Sequence, residues 1–292
     1  MILQSVRKNK ISSFFIVSLF IIVIMVGVYC VCIYNDLGAM SIPIALVFSI
    51  LPAIISYYNC DKMVLGLNGA RPATREQDLQ LSVILENLCI ASGLPKPKLY
   101  VIQDGSPNAF ATGRNPENAV ICVTTGLLEK LNKYELEGVI AHELSHIKNY
   151  DILLSTVVSV FVGFVVILSD FFTRIAFRGS RSRDEDNGGN AIVAIIAILF
   201  LILSPIFATL MQLAISRKRE YLADASAIEI TRNPDGLISA LQKISGDPDI
   251  LEAANKSTAH MYISNPLKEK KSDLWSTHPA IEKRIEALRN IN

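Results

Sequence analysis

"VIAHELSHIKNYD", residues 139–151, is followed at once by the apolar run "ILLSTVVSVFVGFVVILS", residues 152–169. On a helix, His142 and His146 lie one turn apart on one face, so both imidazoles can offer a nitrogen to the same ion. Glu143 lies beside them, near enough to hold a water at an open position of that ion. This H-E-x-x-H arrangement is typical of two zinc ligands and a general base. A helix with two solvated histidines and a surface glutamate is the alternative interpretation.

A catalytic zinc needs a third protein ligand, and cysteine is a poor candidate for it. The five cysteines are odd in number and form no CxxC pair, which fits buried thiols in a reducing compartment better than disulfides. Downstream, "SRKREYLADASAI", residues 216–228, predicts a helix on which Glu220 and Asp224 share a face. One carboxylate suits a metal ligand, and the other suits a partner that orients a zinc histidine. A solvated acidic face paired with residues 217–219 is the alternative.

Apolar runs make up much of this chain of 292 residues, which is 51% hydrophobic and only 19% charged. Crossing the hydrocarbon core of a membrane takes about 20 residues. The sequence predicts four spans, at residues 11–34, 37–60, 152–169 and 191–216. A cleaved signal peptide is the alternative for the first run, but the run is too long and no A-x-A-like site follows it. A metal transporter is disfavoured because none of the runs contains Asp, Glu, Lys, Arg or His.

Positive charge predicts the orientation of these spans. Arg7, Lys8 and Lys10 precede the first run, which places the N-terminus in the cytoplasm. Four crossings then put both soluble parts on the cytoplasmic side. The loop between the third and fourth runs disagrees with this orientation because it is rich in arginine: Arg174, Arg178, Arg181 and Arg183. A third and fourth segment that dip into the membrane without crossing it are therefore the alternative.

The soluble parts predict helices and a small sheet. Helical periodicity is found at residues 76–91, 127–131, 134–149, 218–231, 236–245 and 279–289, and β-type segments at 98–102, 108–113 and 118–123. Turn clusters rich in Gly, Pro, Asn and Asp separate the β-type segments. We therefore expect a mainly α integral membrane protein with a small antiparallel β-sheet. With a net charge of +1 and no basic stripe, a nucleic-acid partner is not expected.

Three stretches together resemble the M48 family of membrane zinc metallopeptidases, most of all its heat-shock protease branch. They are "AHELSHIKNYD", "REYLADASA" and "STHPAIEKRI". The resemblance extends through "SPNAFATGR" to the N-terminal hairpin. It implies a zincin-like (gluzincin) domain on the cytoplasmic side and one Zn²⁺ per chain, bound by His142, His146 and Glu220. It also implies that Glu143 is the base and that Asp224 lies behind the metal ligands.

Two further features suggest residues that contact the substrate. His278, with Arg284 on the following helix, is a candidate to stabilise the oxyanion, and the resemblance supports this role for His278. A helix N-cap region, with Pro279 at the first helical position, is the alternative. A peptide substrate is expected to lie as an added strand on a sheet edge. The candidate edge consists of Asn108, Ala109 and Phe110. An ordinary strand of the sheet is the alternative there.

The sequence thus predicts a membrane-bound zinc endopeptidase that hydrolyses peptide bonds with a zinc-activated water. Its predicted organisation is a membrane hairpin at 1–60, a first part of the protease domain at 61–151, a second hairpin at 152–216 and a second part of the domain at 217–292. The resemblance implies quality control of damaged or misfolded membrane proteins in the cell membrane. The expected partners are membrane-protein and unfolded polypeptide substrates and the lipid bilayer. The competing hypothesis is a non-catalytic scaffold with structural zinc. The presence of Glu143 argues against it, because a purely structural zinc site needs no general base.

Overall fold

The computed structural model describes residues 2–34, 36–163, 217–254, 257–266 and 279–290. The chain begins with two long apolar helices that pack side by side, α1 (Ile2–Tyr34) and α2 (Ser41–Tyr58). Val6–Tyr29, within α1, and Gly38–Tyr58, which includes α2, are long and apolar enough to cross a membrane. Large apolar side chains are exposed on both, with Phe14 at 69% and Phe48 at 61%. An apolar surface of this extent is typical of a membrane or protein contact.

The remaining described elements follow in chain order. They are α3 (Cys60–Leu67), β1 (Arg71–Pro72), α4 (Arg75–Ser92), β2 (Lys98–Ile102), β3 (Ala109–Gly113), β4 (Ala119–Thr124), α5 (Thr125–Lys130), α6 (Lys133–Lys148), α7 (Asp151–Gly163), α8 (Arg217–Thr231), α9 (Pro234–Gly246) and α10 (Ile281–Arg289). Every soluble helix and strand predicted above is present, with its ends within two residues. Helix α7 is the start of the predicted third span. The predicted fourth span lies outside the described residues.

The sheet is mixed, which corrects the antiparallel sheet expected from the sequence. Its strand order is β1-β2-β4-β3, in which β2 and β4 run parallel while the outer pairs are antiparallel. The cause is the connection at residues 103–108, which crosses the end of β4 instead of making a hairpin. Thr124 and Thr125 hold this connection, since their hydroxyls accept hydrogen bonds from the N–H groups of Asn108 and Asp104. Strand β3 therefore lies at the edge of the sheet.

Both faces of the sheet are buried, and successive residues of each strand point to opposite faces. One face packs against α4, α6, α9 and α10; its strand residues are Leu99, Val101, Ala109, Ala111, Ala119, Ile121 and Val123. The other face packs against α1, α3 and α7; its strand residues include Ile102, Phe110, Val120 and Cys122. The sheet thus connects the helices of the soluble part to the first apolar helix.

Helix α6, which carries the two histidines, is fixed at its start. The side chain of Asn132 accepts a hydrogen bond from the N–H of Glu135, and the Glu135 carboxylate accepts one from the N–H of Asn132 in return. This capping box satisfies two N–H groups that the helix leaves unpaired. Glu135 also accepts hydrogen bonds from Ser239 and Lys243 of α9. The start of α6 is therefore fixed to a second helix.

Gly138 lets α6 and α9 approach closely, and we expect Gly138→Ala to destabilise the protein. A Cβ at this position would meet the backbone N of Leu237 at 2.7 Å, so one of the helices would have to shift. Overpacking of this kind costs about 1–3 kcal/mol. Thermal unfolding of the full chain in detergent measures the loss. Gly246→Ala is the control, because nothing lies within 4 Å of its Cβ; an equal loss in both variants would contradict the close approach.

Candidate metal centre

The first two predicted ligands come from adjacent turns of α6. The Nε2 atoms of His142 and His146 lie 3.2 Å apart, and the ring planes are nearly perpendicular, at 89°. Burial lowers the pKa of His142, which favours its neutral, metal-binding form. Burial acts in the same direction on His146, but the carboxylates of Asp151 and Glu220 outweigh it and raise the pKa of His146 to about 9. The carboxylates of Asp151 and Glu220 therefore favour a positive charge at His146.

The third predicted ligand comes from α8, far along the chain. The Glu220 carboxylate lies 3.7 Å from Nε2 of His142 and 3.6 Å from Nε2 of His146. One ligand atom from each of the three residues lies within 4.8 Å of the other two. Donors about 2.0–2.2 Å from a tetrahedral zinc are about 3.3–3.6 Å from one another. Two imidazoles and one carboxylate at these separations fit a zinc ion.

A second carboxylate of α8 orients His142. Asp224 accepts a hydrogen bond from Nδ1 of His142 at 3.0 Å, which leaves Nε2 for the metal. Asp224 is itself held by Arg284 of α10, whose Nε and Nη2 donate to the two carboxylate oxygens at 2.9 and 2.7 Å. Burial alone would raise the pKa of Asp224, but Arg284 and His142 hold that pKa well below its usual range. Asp224 is therefore an anion that contacts the predicted ligand His142, and its role behind a metal stays a prediction.

His146 has a matching partner that sequence reasoning missed. Asp151 lies 3.0 Å from Nδ1 of His146, so it accepts the hydrogen bond that directs Nε2 toward Glu220 and His142. Asp151 in turn accepts a hydrogen bond from the side chain of Asn9, on α1, at 2.6 Å. The sequence does show a carboxylate five residues after the second histidine, which could have suggested this partner. Its contact with Asn9 depends on folding across the whole chain, so no local pattern reveals it.

The position of Asp151 depends on a break between α6 and α7. Helix α6 ends at Lys148, and Tyr150 adopts a left-handed conformation, with φ of 58°. This conformation is uncommon for a bulky residue and costs about 1–2 kcal/mol. The turn brings Asp151 back toward His146. Helices α6 and α7 are therefore separate helices rather than one continuous helix.

We expect Asp151→Asn to weaken metal binding by about 10–100-fold, the usual effect of removing a partner of a metal-ligating histidine. The amide keeps the shape of the side chain but loses the charge that favours the Nδ1–H of His146. Competition between the purified protein and a zinc chelator measures the affinity. Asp235→Asn is the control, since Asp235 is exposed on α9. Equal zinc affinities of the Asp151→Asn variant and the unmodified chain would exclude the role.

Glu143 lies next to the three predicted ligands and is almost fully buried, at 1% exposure. Burial raises the pKa of Glu143 to about 7. Its carboxylate accepts a hydrogen bond from the N–H of Ala111 on the edge strand β3. Its Oε1 atom is buried and has no hydrogen-bond partner among the described residues. A buried carboxylate oxygen without a partner is suited to accept a hydrogen bond from a water beside the metal.

The structure places the residues predicted to contact the oxyanion or the substrate as follows. Each guanidinium nitrogen of Arg284 donates within the protein, with Nη1 bound to the carbonyl of Ile263 at 2.9 Å. Arg284 thus helps to hold Asp224, and its contact with an oxyanion stays a prediction. His278 lies outside the described residues. Asn108, Ala109 and Phe110 lie at the sheet edge, where the N–H of Ile263 donates to the Ala109 carbonyl at 2.9 Å.

Comparison with known proteins agrees with this arrangement. The sequence profile described as Peptidase family M48 matches residues 75–292. A protein named Protease HtpX homolog from Dictyoglomus turgidum is 45% identical over 287 residues, covering 98% of this chain and 93% of that protein. A protein of the same name from Listeria monocytogenes serovar 1/2a is 45% identical over 304 aligned residues, covering both chains fully.

A solved structure shares the fold. The crystal structure of S. mikatae Ste24p superposes with a TM-score of 0.51 at 20% identity, covering 94% of this chain. This chain spans 62% of the length of that protein. The fold, the residues able to hold a metal and the relatives together define a metalloendopeptidase. The chain belongs to peptidase family M48.

Proposed function

We propose that this protein is a membrane-bound zinc endopeptidase that hydrolyses peptide bonds with an activated water. One observation carries the proposal: a carboxylate and two imidazoles converge within 4.8 Å, with the buried Glu143 carboxylate beside them. A structural zinc site has four protein ligands, whereas a catalytic site has three and an open position. Three ligands and an adjacent base match the catalytic pattern.

The chemistry follows from the positions of the side chains. Zinc, when bound, supplies a Lewis acid that lowers the pKa of a water to about 7 and polarises a peptide carbonyl. Glu143 takes the proton from the attacking water and passes it to the leaving amine nitrogen. Asp224 and Asp151 keep His142 and His146 oriented by accepting their Nδ1–H groups. Burial of Glu143 excludes bulk water from the proton that it carries.

The substrate is proposed to lie as an added strand against Asn108, Ala109 and Phe110 of the sheet edge. Support comes from the end position of β3 and from its contact with Glu143 through Ala111. The Ala109 carbonyl already accepts a hydrogen bond from Ile263, and the Asn108 side chain donates to the Ser264 carbonyl at 3.1 Å. A peptide on these three residues therefore requires the segment around Ile263 to withdraw. His278 remains the proposed oxyanion partner.

The proposed organisation has membrane hairpins at 1–60 and 152–216 and protease segments at 61–151 and 217–292, all of the latter on the cytoplasmic side. Support comes from the two long apolar helices and from the cations that precede the first apolar run within α1. A fluorescent protein fused after residue 292 should fluoresce, and alkaline phosphatase fused there should be inactive. The opposite result would reverse the orientation.

The proposed substrates are damaged or misfolded membrane proteins and unfolded polypeptides, degraded in quality control. His142 and His146 lie just before the predicted second hairpin and Glu220 lies just after it. This position supports the substrate class, since tails and loops of membrane proteins would arrive at the membrane surface there. Cells that carry only a Glu143→Gln variant should accumulate particular membrane proteins and lose their fragments. Identical membrane proteomes in variant and unmodified cells would remove this substrate class while leaving peptide hydrolysis intact.

Removal of the metal distinguishes the enzyme from a scaffold with structural zinc. We expect a chelator to abolish cleavage of an unfolded protein by the purified chain, because neither water activation nor carbonyl polarisation occurs without a Lewis acid. Added Zn²⁺ should restore cleavage to its original rate. The control is Mg²⁺, which prefers oxygen ligands and should not restore it. A chain that cleaves equally well with and without chelator is not a metallopeptidase.

A further inference from the structure

A cavity of about 480 Å³ lies where the N-terminal helix pair meets the soluble part of the protein. Its walls come from the start of α1, the end of α2, the turn after β3 and the start of α7. None of the predicted metal-site or substrate residues lines it. The cavity is therefore separate from the peptidase site and has no role in the proposed chemistry.

One end of the cavity is cationic. The ammonium group of Lys10 lies 4.1 Å from the centre of the Tyr150 ring, and Nη1 of Arg114 donates to the Tyr58 carbonyl at 3.1 Å. These contacts position both cations without neutralising them. Neither forms an ion pair in the part of the chain that the structure describes, and no acidic side chain is among the described lining residues. Two positive charges thus face one cavity that lacks an anion.

The other end of the cavity is apolar, with Phe14, Val17, Leu153 and Val157 in its walls. These side chains belong to the apolar parts of α1 and α7. Between the two ends lies Ser13, which is 3% exposed and whose hydroxyl has no hydrogen-bond partner among the described residues. A serine in an apolar helix ordinarily bonds to a carbonyl one turn earlier. The Ser13 hydroxyl is instead available as a donor to a ligand in the cavity.

We propose that this cavity binds an anionic phospholipid of the cytoplasmic leaflet. The phosphate lies between Lys10 and Arg114, Ser13 donates to a phosphate or ester oxygen, and an acyl chain runs along Phe14 and Val17. Lys10 directly precedes the first apolar run, which puts the cationic end at the depth of the headgroups. Basic pockets between membrane helices on the cytoplasmic side suit anionic headgroups. A free phosphate would satisfy the cations but not the apolar end, so the shape of the cavity favours the lipid.

The experiment measures binding of fluorescent phosphatidylglycerol to the purified full-length chain in detergent. Unlabelled phosphatidylglycerol should displace it, whereas phosphatidylcholine and inorganic phosphate should not. The double variant Lys10→Gln/Arg114→Gln should bind about 25-fold more weakly, at roughly fivefold for each cation. Lys10→Arg/Arg114→Lys should retain binding within about threefold because both charges remain. Arg114→Gln alone replaces the double variant if the latter misfolds.

The matched control is Arg7→Gln/Lys8→Gln, which removes the same charge from exposed positions at the same end of α1. It should leave binding unchanged, because neither side chain lines the cavity. Equal weakening by the two double variants would show diffuse attraction to the protein surface and would overturn the proposal. Displacement by inorganic phosphate at the concentration at which phosphatidylglycerol displaces the probe would also overturn it, in favour of a small-anion site. Peptide cleavage is not a readout here, so the result is independent of the proposed peptidase activity.

Discussion

Replacing Glu143 by glutamine is expected to slow peptide cleavage by about three orders of magnitude, within the range of about 10²–10⁴-fold that general acid–base catalysis contributes. Glutamine has nearly the same shape and can still accept the hydrogen bond from the N–H of Ala111. It cannot take a proton from the attacking water. The three predicted metal ligands are untouched, so zinc affinity should change by no more than a few-fold. Initial rates on an unfolded protein substrate and the zinc content of the same preparation measure the two effects.

Two companion variants define what the Glu143→Gln result means. Glu137→Gln alters another glutamate of α6 that is not among the clustered metal-binding groups, and it should leave both cleavage and zinc content unchanged. His146→Gln should lose zinc and cleavage together, because it removes one of three ligands. If the Glu143→Gln variant cleaved peptides at the original rate, the proposed base would be wrong. If it lost zinc as well, a ligand or structural role would replace the role of base.

Replacing Arg284 by leucine is expected to lower the free energy of unfolding by about 3–5 kcal/mol, the usual cost of breaking a buried ion pair by removing one partner. Arg284 is completely buried and donates to both oxygens of Asp224. Without it, the Asp224 carboxylate remains buried with only His142 beside it. Metal affinity should fall too, because Asp224 is no longer held against His142. Denaturant titration of the full chain in detergent measures the stability, and chelator competition measures the affinity.

The double variant Asp224→Asn/Arg284→Leu separates charge from packing. It removes both charges, so it should recover part of the stability lost in Arg284→Leu, and a double-mutant cycle gives the coupling between them. Arg289→Leu is the control, since Arg289 is exposed on the same helix. Similar losses for Arg284→Leu and Arg289→Leu would mean that the buried ion pair contributes little to stability.

Local patterns were enough to predict most elements of this fold. The helix that carries His142 and His146 and the helix that carries Glu220 and Asp224 were predicted within a residue at each end, because their apolar positions follow the helical period. Spacing also placed the paired residues of each helix on one face. That Glu220 meets the histidines was suggested only by the number of ligands that zinc needs and by family resemblance. The structure brings the three together.

The remaining features depend on contacts between distant parts of the chain. Strand periodicity identified β2, β3 and β4 but not their order, which is set by hydrogen bonds that Thr124 and Thr125 make to the preceding connection. Tyr150 has no intrinsic preference for a left-handed conformation, so nothing local indicated the break after α6. The contact of Asp151 with Asn9 joins residues 142 positions apart. Such pairings are decided by tertiary packing rather than by sequence periodicity.

The predicted metal ligands come from two helices, α6 and α8, that are far apart in the chain. They are therefore synthesised at different times, and this has a consequence for when the site can form. His142 and His146 leave the ribosome long before Glu220, and Arg284 emerges later still. A nascent chain therefore lacks the carboxylate of Glu220 on α8 and the guanidinium of Arg284 on α10 until these later helices have been made. We expect such unfinished chains to bind zinc weakly and to cleave nothing. Latency during biosynthesis would then follow from the order in which these residues occur along the chain.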